Sequence, residues 1–233
     1  VPDVAGLRLL HALPTILADN EVVEFAYQKG RAQADISKAP DVLSPHLHRV
    51  VSISCTLHDD QQFRVVSLGE TDDDEGALIQ RFLDLIAQEE AQLVSWSGGR
   101  FEVPVLHSRA LVHGVSARRY WHHAEKLDLA QLLALHSGTE ASLHEIAGLC
   151  GFPRTPRLPD NQIWNAWRSG RADEIHAHCE TDAVICHLLF LRFQLTCGVL
   201  NAAQYANKMQ TIRDTLAALD AQPWREFLAD WSS

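Results

Sequence analysis

Apolar positions in this chain follow two periods. Residues 49–57 and 63–68 are rich in β-branched residues and flank a polar turn, His58-Asp59-Asp60-Gln61, which predicts an antiparallel hairpin. Residues 92–96 form a third short apolar run, read as a buried strand leading into glycines. Elsewhere the helical period prevails. Residues 19–30 place Val22, Val23, Phe25 and Ala26 on one stripe behind a capping Asp19 or Asn20. Residues 73–90 do the same with Ala77, Leu78, Phe82, Leu85 and Ile86, and 101–113 forms the next helix. From Asp128 onward helices follow one another over 128–136, 142–149, 161–168, 172–196 and 201–220. Ser142-Leu143-His144-Glu145 reads as a capping box, with Gly151 just past the end of its helix. Residues 31–46, with Pro40 and Pro45, read as a surface loop, and Pro153, Pro156 and Pro159 punctuate another.

Strands first and helices afterwards predict an α/β fold, a mixed sheet flanked by helices with a helical C-terminal half. Three strands make a thin sheet, so a further strand upstream of Val1, pairing with the first strand of the hairpin, is expected. The 233 residues, 46% of them hydrophobic, suffice for a single domain over 1–233, with about 201–233 as a helical extension. The only methionine is Met209, so a trimmed start is in keeping with the sequence.

Charge and cysteine content narrow the chemistry. The formal net charge of −10 argues against a simple basic module that coats nucleic acid, and argues less against an enzyme whose acids hold cations facing phosphate. The run Asp72-Asp73-Asp74-Glu75 reads as a solvated helix N-terminus, where acids complement the helix dipole. Five scattered cysteines without a Cys-x-x-Cys pair predict neither a disulfide framework nor a zinc site and suit a reducing cytoplasm. Cys179 and Cys186, two turns apart on one helix face, read as small buried residues. No apolar run is long enough to span a membrane, and the N-terminus shows no secretory signal.

Two distant segments fit one chemistry. Glu102 follows Ser95-Trp96-Ser97-Gly98-Gly99-Arg100-Phe101 at a helix start, where it serves either the helix dipole or a metal ion. Asp182 sits on the same helix face as Ile175, Cys179, Cys186 and Leu189. An acid there needs a metal or an ion-pair partner such as Arg109, because burying a lone carboxylate is costly. His178, one turn before Asp182, either orients an attacking water or faces solvent. Asp128 reads as an N-cap. Trp96 and Phe101 read as core residues or as surfaces on which a terminal nucleotide stacks.

These segments resemble the bacterial 3′–5′ exonucleases related to the proofreading domain of family-B DNA polymerases, within the ribonuclease-H-like exonucleases that use four metal-binding acids. Trp96-Ser97-Gly98-Gly99-Arg100-Phe101-Glu102-Val103-Pro104 is similar to the family's Trp-Asn-Gly-x-x-Phe-Asp-x-Pro, and His178-Cys179-Glu180-Thr181-Asp182 to its Tyr-x-x-x-Asp. His46–Ser54, Leu127-Asp128-Leu129 and residues 142–151 and 188–193 extend the likeness.

The resemblance implies a ribonuclease-H-like sheet and a two-metal Mg²⁺ or Mn²⁺ site. Glu102 and Asp182 would be ligands and His178 the water-positioning group, with Ser97, Arg100 and Phe101 on the substrate side. The substrate would be a nucleic acid with a 3′ end, single-stranded DNA being the expected form. Three positions depart from the motifs: Glu102 for Asp, Ser97 for Asn and His178 for Tyr. The family's Asp-x-Glu strand would end just before Val1, and Asp19-Asn20-Glu21 is no substitute because it lies on a helix. A non-cleaving relative that binds nucleic acid or a protein partner is the alternative.

Overall fold

The computed structural model describes residues 1–33, 43–59, 62–69, 73–89, 92–116, 126–134, 141–153 and 158–231. Helix α1 (Val4–His11) and α2 (Asp19–Gln33) precede a hairpin of β1 (Ile53–His58) and β2 (Phe63–Leu68). Then come α3 (Glu75–Glu89), β3 (Leu93–Ser95), α4 (Glu102–His113) and β4 (Lys126–Asp128). The remainder is helical: α5 (Leu129–Ala134), α6 (Leu143–Leu149), α7 (Asp160–Arg168), α8 (Ala172–Thr196), α9 (Ala202–Ala218) and α10 (Gln222–Asp230).

The mixed α/β character and the helical C-terminal half are as expected. The strands form two separate pairs: β1 runs antiparallel to β2, in register from Ile53 opposite Leu68 to His58 opposite Phe63, and β3 runs parallel to β4. Among the described residues no ladder joins the pairs into one sheet. The run expected to open a helix at Asp128 is instead β4 up to that residue, and the helix starts at Leu129. Residues 31–33 prolong α2, and 45–47 make a 3₁₀ turn. Residues 34–42 of the expected loop, the tip of the hairpin turn at 60–61, Asp72, the tail of the 128–136 helix and Pro156 lie outside the described residues.

Helix α8 organises the molecule. Val184, Ile185, Leu188, Leu189 and Leu191 are buried on several of its sides, because the hairpin packs on one flank and α6, α7 and α9 on others. Polar contacts pin the hairpin to it: Ser67 Oγ donates to Glu180 Oε1 (2.6 Å), and His58 Nδ1 meets His187 Nε2 at 2.7 Å. Burial, then the neighbouring His58 and Lys208, push the pKa of His187 down to about 3, so this imidazole is neutral. The segment expected as a C-terminal extension joins the largest core, where Ile212, Leu216, Trp224, Phe227 and Trp231 meet the apolar side of α8. A second core links α3 and α4 to the hairpin, and a third joins α1 and α2 to Leu43 and Trp164.

Local signals set the helix ends. Ser142 and Glu145 form the expected capping box of α6. Asn201 and Gln204 form a second at α9: Gln204 N–H donates to Asn201 Oδ1 and Asn201 N–H to Gln204 Oε1, both at 2.9 Å. Asn201→Ala is expected to cost about 1 kcal/mol of stability, read as a lower midpoint in thermal unfolding. The effect should reach the whole fold because α9 carries the fully buried Ile212 and Leu216.

The chain start packs against residues 47–49. Asp3 N–H donates to Leu47 O and Arg49 N–H to Val1 O, both at 2.8 Å, and Pro2 bridges His48. All five cysteines are free thiols. No helix among the described residues is long and apolar enough to cross a membrane.

Candidate active site

Strands β3 and β4 end side by side, with Ser95 opposite Asp128. Each runs into a helix, and the carboxyl ends of parallel strands are where α/β folds place functional groups. After Ser95 the chain makes a tight turn before α4. Ser97 adopts the left-handed conformation (φ 57°), which Asn and Gly tolerate better than Ser. Gly98 is buried, and a Cβ there would stand 2.5 Å from Ser95 Oγ, so no side chain fits. Arg100 N–H closes the turn on Ser97 O (3.0 Å), and Val103 N–H reaches back to Gly98 O (2.9 Å). The turn delivers Glu102 as the first residue of α4.

Asp128 caps α5 by accepting from Gln131 N–H (3.1 Å), as its N-cap reading requires. It also accepts from Ser97 N–H (3.0 Å) and Gly99 N–H (2.9 Å), a second role that the sequence reading missed.

Glu102 retains solvent-accessible surface. The protein around its carboxyl raises its pKa above the ordinary range, and the charge of Asp128 adds to that.

Asp182 lies midway along α8, about a third exposed (32%), with an imidazole near each oxygen: His144 Nε2 at 3.5 Å from Oδ1 and His178 Nε2 at 3.8 Å from Oδ2. One turn on, the Cys186 thiol is pushed up to about 12, by burial first and then by Glu102, Asp128 and Asp182. Cys179, one turn before Asp182, is raised to about 11, by burial first, yet it and Cys186 keep intermediate exposure and are not the fully buried residues expected.

A family model described as predicted 3′–5′ exonuclease related to the exonuclease domain of PolB matches residues 40–231. The chain belongs to this exonuclease family. No curated protein matches it. The family match takes in Glu102, Asp128, His178 and Asp182, whereas α1 and α2 precede it.

Several side chains of this family member stand elsewhere than expected. Arg109, the alternative partner for Asp182, is buried in a network with Glu75 and Asp3. Glu75, read with its acidic neighbours as solvated, is only 4% exposed. Of that run, Asp73 pairs with Arg81 and Asp74 accepts from Ala77 N–H at the surface. His178 is buried, so it does not simply face solvent. Trp96 packs on the largest core and donates its Nε1–H to Ala141 O (3.1 Å), in keeping with its core reading. Phe101 is 37% exposed and meets His48 edge-on at 4.9 Å, so it is not a core residue. Arg100 beside it is exposed. His144 was missed as a neighbour of Asp182; its only sequence signal was a place inside the capping box.

The oxygen donors suit Mg²⁺ or Mn²⁺ in type. In number they are incomplete: among the described residues no group of three or more His, Cys, Asp or Glu side chains is placed to hold an ion. Asp128 already accepts from three backbone amides, more than Glu102 or Asp182 is seen to accept.

Proposed function

We propose that this chain acts as a metal-dependent 3′–5′ exonuclease on a ribonuclease-H-like scaffold, removing nucleotides from the 3′ end of single-stranded DNA as nucleoside monophosphates. Besides the family, the observation that carries this reading is the end of the β3–β4 pair, where Asp128 holds the turn that delivers Glu102 to the head of α4. Carboxylates gathered in this way repel an anionic phosphodiester unless cations stand between them. Divalent ions would activate water and neutralise charge at the departing oxygen. The chain's own part is to hold Glu102 at the head of α4 and Asp182 on the rigid α8, with His178 beside Asp182 to orient the attacking water. Arg100 and Phe101 offer a cation and a ring face on the solvent side of the turn, suited to a phosphate and a terminal base. The free cysteines suit work in a reducing compartment such as the cytoplasm.

The incomplete donor set favours a second reading, a non-cleaving member that binds nucleic acid or a protein partner. The deciding experiment gives the full-length natural protein 5′-labelled single strands with Mn²⁺ or Mg²⁺. A ladder shortening from the 3′ end, release of mononucleotides and arrest by chelator are expected. Retention of the strand without shortening would establish the second reading.

A further inference from the structure

The turn between β3 and α4 owes its shape to contacts from outside itself. Its Ser97 and Gly99 amides flank Gly98, and both donate to Asp128, at 3.0 and 2.9 Å. Gln131 N–H, in the first turn of α5, is the third donor, at 3.1 Å. A carboxylate offers about four acceptor sites, and these amides use three. The carbonyl of Gly98, held between the clamped amides, accepts from Val103 N–H at 2.9 Å, the amide immediately after Glu102. A chain of hydrogen bonds therefore runs from Asp128 through the turn to the backbone beside Glu102.

The turn needs such a hold. Ser97 sits in a left-handed conformation that is unfavourable for an L-residue, and such residues persist only where surrounding contacts over-determine them. Gly99 shows how close the clamp is: a Cβ there would stand 3.2 Å from Asp128 Oδ2, so the carboxylate would have to give by a few tenths of an ångström.

We propose that Asp128 is the positioning residue for Glu102. Its carboxylate fixes the Ser97–Gly99 turn and so the entry of α4, and it acts on catalysis only through that backbone. This assignment rests on the exonuclease reading for its kinetic consequence, but not for the clamp itself.

The test uses Asp128→Asn in the full-length protein, which keeps the shape and removes the charge that both turn amides share. The Ser97 and Gly99 amide resonances are expected to move and their hydrogen exchange to quicken. The kcat is expected to fall about tenfold to a hundredfold, the scale of a small misplacement in an active site, with KM unchanged. Because Asp128 acts through Glu102, adding Asp128→Asn to Glu102→Gln should cause no further loss. Gly99→Ala, which presses on the carboxylate while leaving Asp128 in place, should give a milder form of the same pattern. Unchanged amide shifts and exchange in Asp128→Asn would overturn the clamp. Losses that multiply in the double variant would overturn its action through Glu102. If the natural protein shortens no strand, the exonuclease reading fails, and the amide comparison still decides whether the clamp exists.

Discussion

Arg109→Met is expected to destabilise the fold by about 3–5 kcal/mol, the range for breaking a buried ion pair. Arg109 donates from Nε to Glu75 Oε1 (2.8 Å), from Nη2 to Glu75 Oε2 (2.5 Å) and from Nη1 to Asp3 Oδ2 (2.6 Å). Glu75 also accepts from Val50 N–H (2.6 Å) and meets His113 Nε2 at 2.9 Å. Methionine keeps much of the arginine stem and removes every donor, leaving a buried carboxylate with its counter-charge gone. Arg109→Met combined with Glu75→Leu should recover most of the loss, since replacing both partners by apolar groups removes the stranded charge.

The loss should depend on pH. Burial pushes the pKa of Glu75 up, but hydrogen bonds from Arg109, Val50 and His113 outweigh it and hold the pKa below the ordinary carboxylate range. A depressed folded pKa contributes stability above the unfolded value and loses it as pH falls through the folded one. Without Arg109 the burial of Glu75 raises its pKa instead, and that variant loses stability as pH rises. The gap between the two proteins should therefore be widest near neutrality and shrink toward pH 4, about the unfolded carboxylate value. Denaturant unfolding at both pH values measures it. A gap that does not change with pH would remove Glu75 as the partner that matters.

The same residue shows where sequence reading stops. Asp73, Asp74 and Glu75 present similar chemistry one after another, and a helix-dipole argument treats them alike. Only the packing of α3 against α4 buries Glu75 and leaves its neighbours at the surface. Features written in adjacent residues were legible: the hairpin from its β-branched runs, α6 from its Ser142–Glu145 box, α8 from its long apolar stretch. Features that depend on distant pairing were not. Strand β4 is only Lys126-Leu127-Asp128, without a β-branched residue, and exists because β3 lies beside it. Helix α1 has a capping Asp3, whose Oδ1 accepts from Gly6 N–H (3.1 Å), but its eight residues carry only a brief apolar pattern. The site divides the same way. Glu102 and Asp182 were legible as acids in motifs, whereas the hold of Asp128 on the turn and the approach of His144 to Asp182 depend on tertiary contacts.

Asp182→Asn is expected to lower exonuclease activity by more than about a hundredfold, because even outer partners of a metal ligand cost 10–100-fold when replaced. The side chain is a third exposed although its Oδ1 is buried, so the isosteric amide is expected to lower the thermal midpoint only slightly. Only the charge disappears, and with it an oxygen donor suited to a hard cation. If Glu102 and Asp182 serve the same ions, Glu102→Gln should cause a comparable loss, and the double variant should be scarcely worse than either single one, as for groups that act as a unit. Multiplying losses would instead mean that the two acids act separately. Full activity in Asp182→Asn would remove Asp182 from the mechanism, leaving its two neighbouring imidazoles and its effect on Cys186 as features of a structural carboxylate.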